Sequence, residues 1–326
     1  MTASIEVWAL DGIPEVTDGD DIAALIVATG VELSDGDVVV VTSKIVSKAE
    51  GRLVPGNRDD HLAAETVRVV AQRGRTQIVQ TRHGLVLAAA GIDESNVPDG
   101  TVALLPLDPD ASAARIRSGL RQRVGVDVAV LVTDTMGRPW RDGVVDTAIG
   151  AAGIEVLEDL RGSSDSFGHV LEVTVTAHAD ELAAAADLVK GKLSNRPVAV
   201  VRGFDVRRPG TDLGARPLVR PAADDMFSAG TRDARAQLVR DSAPVTATSD
   251  TSADPAALQR AIDAIWAPAV KLAIAEDGRA IIAIGEPLDV GYALGRLMGA
   301  LAAEGLRAAA PEPTSDGARL DVTGAG

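Results

Sequence analysis

The sequence predicts an α+β fold, and three observations carry that prediction. Strand-like and helix-like runs interleave without the regular strand–helix period of a doubly wound sheet. Hydrophobic residues make up 46% of the 326-residue chain and aromatic residues 2%, so a sizeable core can form and it must be aliphatic. Periodic patterning then fails at SAPVTATSDTSADPAA (242–257), where small polar residues, alanine and proline carry the signature of a linker.

Each element follows from its local pattern. IEVWAL (5–10) reads as a strand, DDIAALIVATG (20–30) as a helix closed by Gly30, and DVVVVTS (37–43) as a strand buried on both faces by its consecutive valines. HLAAETVRVVAQR (61–73) has helical periodicity, and QIVQT (77–81), GLVLAAAG (84–91) and TVALLPL (101–107) read as strands. DPDASAARIRSGLRQRVG is a helix with Asp110 or Ser112 as its cap. Strands follow at 126–135 and 170–178, a helix at 179–192 and a strand at 196–204. Beyond the linker, ALQRAIDAIWAPAVKLAIA reads as helix, RAIIAIG (279–285) as strand and DVGYALGRLMGALAAEGL as helix. The division expected is therefore a main domain over 1–241, a linker over 242–257, a small α/β appendage over 258–305 and a flexible tail over 306–326.

Composition narrows the function. With 47 acidic and 32 basic side chains the formal charge is -15, which repels phosphate backbones, and the scarcity of aromatics leaves no platform for stacking bases. A small phosphorylated ligand stays open, because a bound cation or a local lysine cluster reverses the field locally. The absence of cysteine excludes disulfides, thiolate metal sites and cysteine nucleophiles. No leader-like or membrane-length apolar stretch is present, so a cytoplasmic protein is expected. Neither a G-x-x-x-x-G-K-[ST] loop nor a G-x-G-x-x-G turn occurs, and His61, His83, His169 and His178 are scattered.

Three strand ends carry chemistry. In VTSKIVSKAEGR, Ser43, Lys44 and Lys48 can grip phosphate, or can be exposed side chains of an ordinary amphipathic turn. In AAAGIDESNV, Asp93 and Asn96 offer the hard oxygen ligands that magnesium or manganese select, or close an Asx turn. In LVTDTMGRPWRDG, Asp134 and Thr135 can face a cation while Arg138 and Arg141 manage substrate charge, or the segment is a capped turn. Two acidic strand ends and a lysine strand end together point to metal-dependent phosphate chemistry and no further.

Taken in order, VVVVTSKIVSKAEGR, AAAGIDESNV, LLPLDPDASA, VTDTMGRPWRDG with VVDTAIGAAGI, and ADELAAAADLVKGK with PVAVVRG resemble the coenzyme F420-0:L-glutamate ligase (gamma-glutamyl ligase) family. The resemblance runs from about Ile5 to about Thr231, and RPAADDMFSAGT (220–231) has an actinobacterial flavour. It implies a mixed-sheet α+β fold forming an intertwined homodimer. It also implies a GTP- and divalent-cation-dependent enzyme that joins L-glutamate to F420-0, then adds γ-linked glutamates through an acyl phosphate, with potassium a further cation to test. Carried over by motif, Ile13, Pro14, Glu15 and Val16 of the GIPEV turn contact GTP, as do Ser43, Lys44, Lys48 and Asn96. Asp93 and Asp134 hold a first divalent cation and Thr135 a second. Arg138, by position alone, is the candidate catalytic group that steadies the acyl phosphate or the incoming carboxylate.

Two departures accompany the resemblance. Some relatives place an acidic residue for the second cation just after the ADE-initiated helix, where this chain has KGKLSNRP with Lys192 near that place; a protonated lysine cannot ligate a cation. Others append a flavin-dependent reductase, for which residues 258–326 are too few. Rival readings are a ligase for another phosphorylated or carboxylated acceptor and a GTP-binding regulator without catalysis.

Overall fold

The computed structural model describes residues 4–324 apart from 209, 211, 231–233, 235–237, 239–241, 245–252 and 266. The chain separates into two units, Met1–Ser228 and Ala229–Gly326. None of the helices among the described residues is long and apolar enough to cross a membrane.

In the first unit the order is β1 (Glu6–Ala9), α1 (Ile22–Ala28), β2 (Val38–Thr42), α2 (Ser43–Ala49), β3 (Leu53–Pro55), α3 (Arg58–Glu65), β4 (Arg68–Arg73), β5 (Thr76–Gln80), β6 (Val86–Ala88) and β7 (Thr101–Ala103). Then come α4 (Pro109–Val124), β8 (Ala129–Arg138), β9 (Arg141–Ala152), β10 (Glu158–Asp159), β11 (Val175–Thr176), α5 (His178–Lys190) and β12 (Val198–Arg202). The central sheet runs β1-β12-β2-β8-β9 and is mixed: β2 and β8 are parallel, the other neighbours antiparallel. The α+β class and the mixed sheet are thus as expected.

The valine run explains the layering. Val38 to Val41 are all fully buried because successive side chains face opposite layers. Val39 and Val41 join Ile26 of α1, Ile45 of α2 and Leu120 of α4 in one core. Val38 and Val40 join Ala179, Leu182 and Ala186 of α5 in the other. Each such valine contributes about 1.5–3 kcal/mol of burial, so the strand that carries the lysine segment is among the most firmly held. α4 lies close against β9, which only Gly150 permits: a Cβ there would stand 2.3 Å from the Pro109 carbonyl oxygen.

Several expectations are corrected. Residues 61–73 are not one helix: α3 ends at Glu65, and the β-branched run from Arg68 pairs with β5 through a turn at Gly74 (φ 59°). The cap of α4 is Asp108, whose side chain accepts from the Ala111 amide with Pro109 in the first turn, not Asp110 or Ser112. Of the strand expected over 170–178 only β11 and an isolated Ser164–Val170 bridge form, and His178 opens α5 instead. The motif after Trp140, left unassigned by periodicity, is the twelve-residue strand β9.

The second unit contains α6 (Pro255–Asp263), β13 (Lys271–Ile274), β14 (Ala280–Ile284), α7 (Pro287–Ala303), β15 (Leu306–Ala308), β16 (Glu312–Thr314) and β17 (Gly317–Gly324). Its antiparallel sheet runs β13-β14-β17-β15, with β16 also on β17. The helix read through ALQRAIDAIWAPAVKLAIA stops at Asp263, before Pro268, and its last part is β13. The tail expected over 306–326 is ordered strand as far as Gly324, because the alternating apolar Ala318, Leu320 and Val322 are buried in the core of this unit. Half of the expected linker, 245–252, lies outside the described residues, and its last residues begin α6.

Candidate active site

One cavity of about 340 Å³ gathers the sequence motifs, lined by Ile13, Pro14, Glu15 and Val16, by Lys44 and Lys48, by Asp93 and Asn96, and by Asp134 and Thr135. The parallel pairing of β2 with β8 explains the first juxtaposition. Thr42 stands opposite Thr133, so the next residues, Ser43 and Asp134, meet although far apart in sequence. Ser43 Oγ donates to Asp134 Oδ1 at 3.0 Å.

Because α2 begins at the strand end, Lys44 and Lys48 fall four residues apart on one of its faces. Lys48 is buried and donates to the carboxylate of Glu15 from the early turn. Lys44 Nζ lies 2.7 Å from Asp93 Oδ2 and also donates to the Ser95 carbonyl oxygen at 2.7 Å. The Asx-turn alternative at Asp93 is realised as well: its Oδ1 accepts from the Ser95 amide at 2.7 Å. Burial opposes ionisation of Asp93, but Lys44 and Ser95 outweigh it and hold the carboxyl below its ordinary value. Asn96 reaches the cavity in a left-handed conformation (φ 52°) that asparagine tolerates.

Residues not foreseen complete the walls: Thr42, Ile45, Asp146, Asp187, Lys190, Gly191, Asn195, Arg196 and Pro197. Lys192, flagged as a departure, lines the cavity too. Asp146 faces Thr135 across the β8–β9 hairpin, where the two are register partners. Its Oδ1 accepts from Thr135 Oγ1 at 2.9 Å, and its Oδ2 accepts from Thr133 Oγ1 at 3.0 Å and from Lys190 Nζ at 2.7 Å. Both partners of this ion pair are about 5% exposed, where an unpaired charge would be costly. The sequence carries little signal for Asp146: VVDTAIG does not alternate, and the meeting with Thr135 depends on β9 pairing back onto β8.

Among the described residues the lysines leave two of the cavity's carboxylates, Asp134 and Asp187, without an ion pair. Asp93, Glu15 and Asp146 each have a lysine, whereas Asp134 has only the Ser43 hydroxyl and the Thr135 backbone. Burial above all, then repulsion from Asp146 and Asp93, pushes its carboxyl up to about 7. Burial and the Asp146 charge also raise Asp187. Among the described residues no three acidic or histidine side chains converge as a ready-made metal cage. The donors present suit a hard cation of another kind, one held by one or two carboxylates and completed by phosphate oxygens and water.

Arg138 is not brought to this cavity. It sits near the tip of the β8–β9 hairpin, where its Nη2 donates to the Asp142 carbonyl oxygen at 2.9 Å. Its Nε is buried with no hydrogen-bond partner.

The family described as F420-0:Gamma-glutamyl ligase matches residues 12–203, which includes every cavity residue named above. The chain is 40% identical over 252 residues to the coenzyme F420:L-glutamate ligase of Methanothermobacter thermautotrophicus, an alignment covering 68% of this chain and 98% of that protein. It is 42% identical over 236 residues to the protein of the same name from Methanopyrus kandleri (65% and 93% covered). With the Haloarcula marismortui protein of that name it shares 40% identity over 255 residues (70% and 98% covered). By the extent of these matches, the chain belongs to the F420-0:Gamma-glutamyl ligase family.

Proposed function

We propose that this protein ligates L-glutamate to coenzyme F420-0 and then adds successive γ-linked glutamates, at the expense of GTP. The observation that carries the reading is the gathering of Lys44, Lys48, Asp93 and Asp134 in one cavity with an uncompensated carboxylate. Family membership supports the ligase class, and the names of the relatives support F420 and glutamate as the substrates.

An amide cannot form from a free carboxylate and an amine without activation. The γ-phosphoryl group passes to the acceptor carboxylate, giving an acyl phosphate and GDP; the glutamate amine then attacks the acyl carbon, inorganic phosphate leaves and the amine gives up a proton. Lys44 and Lys48 are the groups to hold the phosphates, exchanging their carboxylate partners for phosphate oxygens. Ile13, Pro14, Val16 and Asn96 provide the remaining walls for the nucleotide. Asp93 and Asp134 would hold magnesium or manganese, and Thr135 a second cation, with potassium to be tested beside them. When bound, such an ion neutralises charge that develops on phosphate oxygens. Ser43 orients Asp134 by its hydrogen bond. Arg138 acts on the acyl phosphate only if the hairpin reaches a cavity, and an intertwined homodimer, which doubles the mass seen in light scattering, is the arrangement to test. A cytoplasmic location fits this chemistry.

The presence of Lys192 on the cavity wall favours one second reading, a GTP-binding protein with a different acceptor or no turnover. Incubation with F420-0, L-glutamate, GTP and Mn2+, followed by mass spectrometry, separates the two. A ladder of glutamylated products that vanishes in Asp134→Ala is expected; GTP binding without product would overturn the ligase reading.

A further inference from the structure

We propose that Asp146 and Lys190 form a positioning pair that fixes which way the Thr135 hydroxyl points. The inference rests on the reading of Thr135 as a cation ligand and goes beyond it, since neither member of the pair is among the residues carried over by motif.

An ionised carboxylate can only accept hydrogen bonds and an ammonium can only donate them. Asp146 Oδ2 is occupied by Lys190 Nζ at 2.7 Å and Thr133 Oγ1 at 3.0 Å, leaving Oδ1 for Thr135 Oγ1 at 2.9 Å. Thr135 has a single hydroxyl proton and spends it on Asp146. Its lone pairs are therefore free on the side that lines the cavity, which is the arrangement a cation requires. Lys190 has a second contact, donating to Thr133 Oγ1 at 3.0 Å, so the Thr133 proton is also committed to Asp146. Both hydroxyl protons of the cluster are thus assigned by donor and acceptor capacity alone. Thr133, Asp146 and Lys190 are buried, Thr133 fully, whereas Thr135 is half-buried at the cavity wall.

The pair makes a sharp demand on substitution. In Asp146→Asn, Lys190 and Thr133 are both donors and must keep the new amide oxygen, which turns the amide NH2 group toward Thr135. Thr135 must then accept, and its own proton swings into the cavity against any cation. A neutral side chain of the same shape should therefore weaken cation binding by roughly 10- to 100-fold, the range for partners that orient a ligand. In Asp146→Asn/Lys190→Met no ammonium fixes the amide, no buried charge is left unpaired, and Thr135 can donate as before.

The test is a cycle of Asp146→Asn and Thr135→Val, with Asp146→Asn/Lys190→Met as the folded control. Mn2+ affinity is read from the electron paramagnetic resonance of the unbound aqua ion with GTP present, circular dichroism reports folding, and glutamate incorporation is followed in parallel. The expected result is a loss in Asp146→Asn that disappears in the Thr135→Val background, with the double variant Asp146→Asn/Lys190→Met recovering part of that loss. Non-additivity of this kind marks directly coupled residues. Equal losses of Mn2+ affinity from Asp146→Asn in both backgrounds would overturn the proposal, as would a double variant Asp146→Asn/Lys190→Met that is folded yet binds Mn2+ as weakly as Thr135→Val. A wild-type chain that binds Mn2+ and shows the cycle but forms no product would overturn the ligase reading and support this one. A wild-type chain that holds no Mn2+ in the presence of GTP would overturn both.

Discussion

Replacing Asp134 by asparagine should stabilise the ligand-free protein at neutral and alkaline pH while removing its response to cations. Burial and two neighbouring carboxylates lift this carboxyl to about 7, roughly three units above its ordinary value. At about 1.36 kcal/mol per unit, the ionised side chain costs the native state up to about 4 kcal/mol. The sign follows from proton uptake. Between the ordinary carboxylate value and about 7 the native state holds a proton that the unfolded chain has lost, so the stabilising contribution is complete in acid. It is lost as the pH rises through about 7. Urea unfolding of wild type and Asp134→Asn in EDTA, followed at β8 by hydrogen exchange, should show the variant ahead by about 1–4 kcal/mol at pH 8 and the gap closing toward pH 4. Addition of Mn2+ with GTP should raise the wild-type midpoint and leave the variant unmoved. A variant that is equally unstable at both pH values, or that still responds to Mn2+, would refute the claim that Asp134 carries an uncompensated charge awaiting a cation.

Three further outcomes follow from the geometry. Lys48→Ala removes a buried ammonium from the cavity and should weaken GTP binding by about 10- to 100-fold in calorimetry, the worth of a charge-assisted hydrogen bond. Gly150→Ala drives a methyl group into the Pro109 carbonyl and should cost about 3 kcal/mol or more in urea unfolding, with α4 losing exchange protection first. Arg138→Ala should leave GTP affinity within about twofold, since Arg138 does not line the cavity of its own chain, and a fall in turnover alone would place its role on the acyl phosphate.

The legibility of this site in the sequence has a physical cause. The ends of buried apolar runs announce themselves, because such a run must stop where polar chemistry begins; Ser43 and Asp93 follow one, and Asp134 follows one inside β8, which continues to Arg138. What periodicity cannot report is pairing. Asp146 was invisible as a site residue because its relation to Thr135 depends on β9 folding back on β8, and the glycines and threonine of that stretch blur its alternation. Lys190 reads as one of two lysines closing an amphipathic helix, yet the structure buries it against Asp146. The same blindness to pairing turned β4 into a helix and β17 into a tail: β4 is fixed by the hairpin it makes with β5, and β17 by β14, a partner distant in sequence that a local window does not contain.

The cavity walls are drawn from residues 13 to 197, and the sheet that holds them needs β12, the last strand of the first unit, between β1 and β2. During synthesis at about 5–20 residues per second, roughly 10–40 s pass between the first wall residue and the last. The pocket is therefore complete only once β12 has been made, whatever ligand it takes. When it closes, the three lysine–carboxylate pairs neutralise much of its charge without any ligand.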